Sequence, residues 1–172
     1  MKLDDDDFTL FGLPQRFTLD RAQLDERWRA LQGEVHPDRF AADGAATQRV
    51  AMQWAVRVNE AYRRLKDPLA RAAYLVGLRG GAVDAERNTA MPPAFLMQQM
   101  SWREALAEAR DAPAVQALDD EIAAHQRAQF DRLAHLLGEQ PDTAAAAQLV
   151  RELMFVGKFR EDINRRLEAL DA

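Results

Sequence analysis

Two ionisable side chains stand two positions apart in the tripeptide His36–Pro37–Asp38, which interrupts two helical patterns. An imidazole beside a carboxylate can act as a general base with its orienting group, or as a pair of polar contacts for another protein. Proline fixes its own φ and excludes the preceding residue from the α region. The sequence therefore predicts that a helix ends at Val35, that His36 is extended, and that Asp38 lies on an exposed turn.

Catalysis by this pair is the weaker interpretation. Pro37 makes pairing of the two side chains awkward, and no nucleophile or oxyanion-binding pattern accompanies them. An exposed Asp38 carboxylate is instead suited to a charge-assisted pair with an arginine of a partner, while His36 can donate or accept a hydrogen bond. We therefore expect a binding surface and not an enzyme.

Two amphipathic helices must position this turn. Thr18 and Asp20 are candidate N-caps of the first helix, and Asp43 is the expected cap of the second. The first helix carries an apolar stripe at helical spacing: Leu24, Trp28, Leu31 and Val35. The second carries another: Val50, Trp54, Val58, Ala61, Tyr62 and Leu65. The short connection predicts an antiparallel hairpin, and we call His36–Phe40, at its tip, the elbow.

The rest of the chain is also helical in pattern. Glycines at 77, 80 and 81 and prolines at 92 and 93 frame a stretch without periodicity. Three long patterns follow, at about 93–110, 113–137 and 143–170, and their short links predict an antiparallel three-helix bundle. The expected fold is all-α, with an N-terminal domain over residues 1–76, a linker over 77–92 and a bundle over 93–172.

Composition narrows the function classes. The 172 residues include no cysteine and only three histidines, which argues against a metal site, an iron–sulfur cluster or any cofactor held by this chain. The net charge of −5 gives no bulk attraction to nucleic acid, and no apolar run approaches membrane length. The start of the chain resembles neither a signal nor a transit peptide, so we expect a cytoplasmic protein. Asp4–Asp7 could bind a divalent cation, but we expect a solvated acidic run before a helix.

Several motifs together resemble a J-domain. The elbow tripeptide is followed, in order, by Asn59-Glu60-Ala61-Tyr62 and by Asp67-Pro68-Leu69-Ala70-Arg71-Ala72-Ala73-Tyr74. The opening segment 8–14 (FTLFGLP), the segment 95–97 (FLM) and the two-domain length narrow the resemblance to the HscB family of J-type co-chaperones. This resemblance covers nearly the whole chain.

The resemblance implies two partners and no catalysis by this chain. The J-domain would dock on a specialised, HscA-like Hsp70 and stimulate its ATPase. The bundle would deliver an IscU-like scaffold protein to that chaperone during iron–sulfur cluster biogenesis. The residues expected to contact the chaperone are His36, Pro37, Asp38, Arg27, Arg29 and Arg39. The three arginines could equally form a solvated helix face, and a J-protein with another client would keep the same elbow.

The helix beginning near residue 93 has an apolar outward face. At about 100° per residue, five side chains fall roughly 100–220° from Phe95 on its core face. With Phe155 of the last helix, they are the residues expected to bind the scaffold: Leu96, Met97, Met100, Glu104 and Glu108. We name this helix, predicted over about 93–110, α5, and we call these five residues the α5 face. A contiguous apolar patch marks a contact site, although these side chains could instead pack within the protein.

Overall fold

The computed structural model describes residues 2–84 and 90–171, and every regular element among them is helical. The helices are α1 (Asp7–Leu10), α2 (Arg21–Val35), a 3-10 helix (Pro37–Phe40), α3 (Ala45–Lys66), α4 (Pro68–Leu78), α5 (Pro93–Glu108), α6 (Ala112–Leu137) and α7 (Thr143–Asp171). The lack of strands in these described ranges confirms the all-α prediction. The chain divides into two compact units, Met1–Leu75 and Val76–Ala172.

Helices α2 and α3 form the hairpin of the N-terminal unit. The carboxylate of Asp20 accepts the backbone N–H groups of Ala22 and Gln23 at 2.9 and 3.4 Å, so Asp20 is the N-cap of α2. Apolar residues at helical spacing place one stripe of each helix against the other. The buried residues of this hairpin are Leu24, Val35, Ala51, Val58, Ala61 and Leu65.

The start of α3 differs from the prediction in two ways. Val50, expected in the core stripe, is 51% exposed. Val50 lies eight residues before Val58, so at about 100° per residue the two side chains point about 80° apart around the helix axis. Ala51 lies about 20° from Val58 and is the residue that is buried. The N-cap is Gly44 and not Asp43. Its φ of +86° is a conformation that glycine adopts at little cost.

The acidic segment before α1 is only partly solvated. Asp6 caps α1 by accepting two backbone N–H groups of its first turn at 3.0 and 3.1 Å. Asp7 is fully buried, and the guanidinium groups of Arg57 and Arg64 lie 2.7 and 3.0 Å from its two carboxylate oxygens. The prediction of a solvated run is therefore wrong for Asp7, because two arginines one heptad apart on α3 compensate its buried charge.

A buried arginine fixes the first part of α4 to the N-terminal unit. Arg71 donates from Nε to the carbonyl of Phe17 at 2.8 Å and from Nη1 to the carbonyl of Leu65. Its guanidinium also lies 5.1 Å from the Phe17 ring centroid. Burial lowers the pKa of Arg71, and the two carbonyls compensate its desolvated charge. Arg71 thus ties the segment before α2 and the end of α3 to α4.

Helices α5, α6 and α7 form the bundle of the C-terminal unit. An ion pair links two of them, since Arg160 of α7 donates from Nε and Nη2 to both carboxylate oxygens of Asp119 at 2.9 and 2.8 Å. This bidentate geometry fixes the position of α7 along α6. The apolar core contains Phe95, Trp102, Ala109, Val115, Leu118, Ile122, Val156, Phe159 and Ile163.

Part of the expected linker packs on this bundle. Helix α4 continues to Leu78, two residues into the range 77–92. Beyond it, Arg79 donates to the carbonyl of Leu137 at 2.7 Å, and Arg151 donates to the carbonyl of Val83 at 2.9 Å. Residues 85–89 of the expected linker lie outside the described residues. The domain limits 1–76 and 93–172 stay predictions, while residues 79–83 belong to the C-terminal unit.

Candidate functional site

The elbow backbone has the predicted conformation. Helix α2 ends at Val35, and His36 is extended, with φ −62° and ψ 127°. Pro37 then begins a 3-10 helix that ends at Phe40, a tighter turn than the loop expected from the sequence. Proline favours such a start because it supplies a fixed φ and lacks an N–H that would be unsatisfied there.

The side chains of the tripeptide approach each other more closely than expected. The Asp38 backbone N–H donates to His36 Nδ1 at 3.3 Å, and a carboxylate oxygen of Asp38 lies 3.6 Å from the same nitrogen. Nδ1 can accept this N–H only when it is unprotonated, which places the ring proton on Nε2. The Asp38 side chain remains 89% exposed. The imidazole thus restrains the backbone while the carboxylate faces solvent.

The three predicted contact arginines have different surroundings. Arg39 folds back to donate from Nη1 to the carbonyl of Gly33 at 2.7 Å, which satisfies one of the free carbonyls at the end of α2. Arg29 donates from Nε to the carbonyl of Asp25 at 3.1 Å. Arg27 is exposed and makes no hydrogen bond or ion pair within the described part of the chain. Arg39 is thus bonded to the backbone of α2, whereas Arg27 is available to a partner.

A polar cluster behind the elbow holds α2 on α3. The Asn59 side-chain oxygen accepts from Trp28 Nε1 at 3.1 Å and from Gln32 Nε2 at 2.6 Å. Tyr62 stacks on Trp28 with ring centroids 4.7 Å apart and donates its hydroxyl to Asp25 at 2.8 Å. Sequence reasoning assigned no role to Asn59 or Gln32, although Asn59 opens one of the quoted motifs. These contacts set where the elbow projects from the hairpin.

Two side chains donate hydrogen bonds to the Asp25 carboxylate beside this cluster. The Arg21 guanidinium donates to Asp25 at 2.7 Å, and with the Tyr62 hydroxyl it holds the pKa of Asp25 below its usual value. A carboxylate that accepts two such bonds stays ionised over a wider pH range.

The α5 face is exposed as helical phase predicts. Leu96, Met97 and Met100 are 46%, 72% and 62% exposed, and Glu104 and Glu108 are exposed beside them. Methionine side chains are flexible and polarizable, which suits an adaptable contact surface. The exposure of the five residues is confirmed, and their role in binding stays a prediction.

Phe155 is not the outward-facing residue that helical phase predicted. It is half-buried and packs against the bundle core, edge-on to Phe95 with ring centroids 6.0 Å apart. The Arg103 guanidinium lies over this ring, 5.6 Å from its centroid. A long aromatic side chain can reach back to the core from a flanking helical position. Phe155 therefore joins the core to the margin of the α5 face.

The described residues contain neither a metal-binding cluster nor a membrane-spanning helix. In residues 2–84 and 90–171, no three histidine, aspartate or glutamate side chains are grouped so that they could hold a metal ion. Among the same residues, no helix is long and apolar enough to cross a membrane.

Comparisons with known sequences place the chain in a family. A family model described as the HSCB C-terminal oligomerisation domain matches residues 91–164. The co-chaperone protein HscB homolog of Burkholderia multivorans is 52% identical over 174 residues, covering 99% of each chain. That of Bordetella petrii is 55% identical over 160 residues, covering 92% of this chain and 94% of its own.

Solved structures agree with the sequence comparison. The chaperone HscB from Vibrio cholerae is 38% identical with a TM-score of 0.83, covering 96% of this chain and 99% of that one. The human co-chaperone protein HscB is 28% identical with a TM-score of 0.90, covering 96% of this chain and 84% of that one. With relatives about half identical along its full length, the chain belongs to the HscB family of co-chaperones.

Proposed function

We propose that this chain stimulates the ATPase of a specialised, HscA-like Hsp70 and delivers an IscU-like scaffold protein to it during iron–sulfur cluster biogenesis. In this role it works in the cytoplasm as an ATPase activator and adaptor, with no reaction of its own and no cofactor. His36, Pro37 and Asp38 contact the chaperone, with Arg27 and Arg29 of α2 beside them and Arg39 holding the turn. The α5 face and Phe155 contact the scaffold.

The observation that carries the proposal is the exposed Asp38 carboxylate on a restrained turn. The His36 contact to the Asp38 N–H, the fixed φ of Pro37 and the Arg39 bond to Gly33 hold the turn before any partner arrives. A group that is already positioned loses little conformational freedom on binding, so more of its interaction energy appears as affinity. A charge-assisted, bidentate pair with a chaperone arginine fits this arrangement.

The scaffold contact is supported by a different property, exposed apolar area. Leu96, Met97 and Met100 lie within one and a half turns of α5 and share a face with two carboxylates. Their burial against a partner is favourable by roughly 25 cal/mol per Å², before the costs of association. The carboxylates of Glu104 and Glu108 favour a partner with basic side chains and orient it.

A reconstituted ATPase assay tests both halves. Purified Hsp70 is followed through a single turnover of ATP with and without this chain, and then with the scaffold added. The chain should accelerate hydrolysis alone and more so with the scaffold, and titration should show a one-to-one complex with the scaffold. Hydrolysis that does not respond to the chain would overturn the chaperone role. Acceleration without scaffold binding would indicate a J-protein with another client.

A further inference from the structure

A groove of about 410 Å³ runs between α5 and α7 in the C-terminal unit. Its floor is apolar, since Phe159 is 5% exposed and Leu106 is half-buried. Its walls carry charged groups from both helices. The lining residues are Arg103, Leu106, Ala107, Phe159, Asp162 and Arg166.

The lining of this groove carries two guanidinium groups and one carboxylate, so its net charge is positive. Its one acid, Asp162, forms an ion pair with Arg165, which lies outside the lining. Among residues 2–84 and 90–170, no carboxylate lies within ion-pair distance of Arg103 or Arg166. Arg166 uses one nitrogen, Nη2, to donate to the carbonyl of Ala109 at 3.3 Å. Both guanidinium groups therefore keep several N–H donors for an external acceptor.

The groove borders the proposed scaffold surface along the second half of α5. Arg103 lies over the ring of Phe155, which borders the α5 face, and Glu104 follows it in sequence. Ala107 lines the groove one turn beyond Arg103 and precedes Glu108. A client lying on the α5 face and extending across α5 toward α7 would therefore meet the two arginines.

We propose that this groove receives an acidic side chain of the client, bound between Arg103 and Arg166 over the Phe159 floor. The inference rests on the proposed scaffold-binding function and adds the chemistry of a second contact. The α5 face offers two carboxylates to basic groups of the client, and the groove offers two guanidinium groups to a carboxylate. The acids and the arginines lie side by side along the second half of α5, so opposite charges on two neighbouring strips favour one orientation of the client, because the reversed one places like charges together.

A purely structural role makes a different prediction. In that account Arg103 only holds Phe155 in place and Arg166 only caps the end of α5. Substitution by Lys keeps the charge in both cases, and substitution by Met keeps much of the side-chain volume and removes the charge. Arg127→Met is the matched control, because Arg127 is exposed on α6 of the same unit and makes no hydrogen bond or ion pair within the described ranges.

The experiment titrates the iron–sulfur scaffold from the same cell into each variant of the full chain, at low and at high salt, and checks each fold by urea denaturation. Arg103→Met and Arg166→Met should each weaken binding about fivefold at low salt, while the Lys variants and Arg127→Met stay within about twofold. The differences should shrink at high salt, since screening acts on exposed charges. Neutralising one Asp or Glu of the scaffold should weaken its binding to the parent chain about as much, and it should not weaken its binding to Arg103→Met any further.

Each outcome decides between the accounts. If the Met variants bind like the parent while alanine substitutions on the α5 face weaken binding, the groove has no client role and the proposed function stands. If the parent chain does not bind the scaffold, both proposals fall. If a Met variant is too unstable to titrate, the Asp and Glu residues of the scaffold are neutralised one at a time and titrated against the parent chain. The proposal is overturned if none of these substitutions weakens binding about fivefold.

Discussion

The elbow and the α5 face offer their partners two different kinds of surface. At the elbow, backbone restraint places one exposed carboxylate, since Asp38 is held by the His36 contact at 3.3 Å and by the fixed φ of Pro37. On the α5 face, Met97 and Met100 offer flexible apolar area that is 72% and 62% exposed. Hydrogen bonds depend on atomic positions, whereas apolar burial scales with area. Changes at His36 or Asp38 should therefore abolish function, and changes on the α5 face should reduce it by degrees.

The sharpest test of this comparison is Asp38→Asn, which removes a charge and keeps the shape. Loss of one partner of a charged, hydrogen-bonded pair costs about 2–5 kcal/mol, so stimulation of the chaperone ATPase should be lost. His36→Gln should act in the same direction because it removes the ring that accepts the Asp38 N–H. Both positions are exposed, so the free energy of unfolding should change by no more than about 0.5 kcal/mol.

Single-turnover ATP hydrolysis measures the effect, and titration with the scaffold is its control. Scaffold binding should be unchanged in both elbow variants. Normal acceleration of hydrolysis by a folded Asp38→Asn chain would show that the elbow does not carry the activity.

The second effect in size concerns the α5 face. Alanine at Leu96, Met97 and Met100 together should weaken scaffold binding at least about tenfold, with each single change contributing a part. The urea midpoint should stay close to that of the parent, because exposed truncations cost within about 0.5 kcal/mol. Met52→Ala is the matched control, since Met52 is 58% exposed on α3 and lies outside this face. If Met52→Ala and the combined variant lose scaffold affinity equally, the α5 face is not the scaffold-binding surface.

The same comparison separates what sequence can predict from what it cannot. Proline chemistry and apolar periodicity act within a few residues, so the end of α2 at Val35 and the exposure of Met97 could be predicted. The burial of Asp7 could not, because its two arginine partners lie 50 and 57 residues away on α3. The double acceptor role of Asn59 depends in the same way on α2 being in place. Polar pairing is a tertiary property that local spacing does not encode.

Phe155 packs on the bundle core and borders the α5 face, so its truncation should affect both stability and scaffold binding. Truncation of a buried Phe to Ala costs about 3–5 kcal/mol, so the half-buried Phe155→Ala should lower the free energy of unfolding by less, about 1–3 kcal/mol. Scaffold binding should also weaken, because Phe95 and Arg103 both lose their contact with the Phe155 ring. Urea denaturation and titration of the same samples measure the two effects.

Phe155→Leu is the control for the aromatic contact, since it retains most of the apolar volume. It should recover most of the stability and less of the binding. An unchanged urea midpoint in Phe155→Ala would mean that the ring faces solvent, as helical phase alone predicted.

The smallest expected effect distinguishes restraint from contact within the elbow itself. Arg39 bonds the Gly33 carbonyl at 2.7 Å, so we expect Arg39 to position the turn and not to touch the chaperone. A side-chain hydrogen bond contributes about 0.5–1.5 kcal/mol net, so Arg39→Met should reduce ATPase stimulation about threefold and leave some activity, unlike Asp38→Asn. Arg39→Lys can still donate to the carbonyl and should recover much of the loss. The salt dependence of stimulation should be the same in the parent chain and in Arg39→Met if the guanidinium does not contact the partner, whereas Arg27→Met should reduce it. A loss as complete as that of Asp38→Asn, with a reduced salt dependence, would instead make Arg39 part of the contact surface.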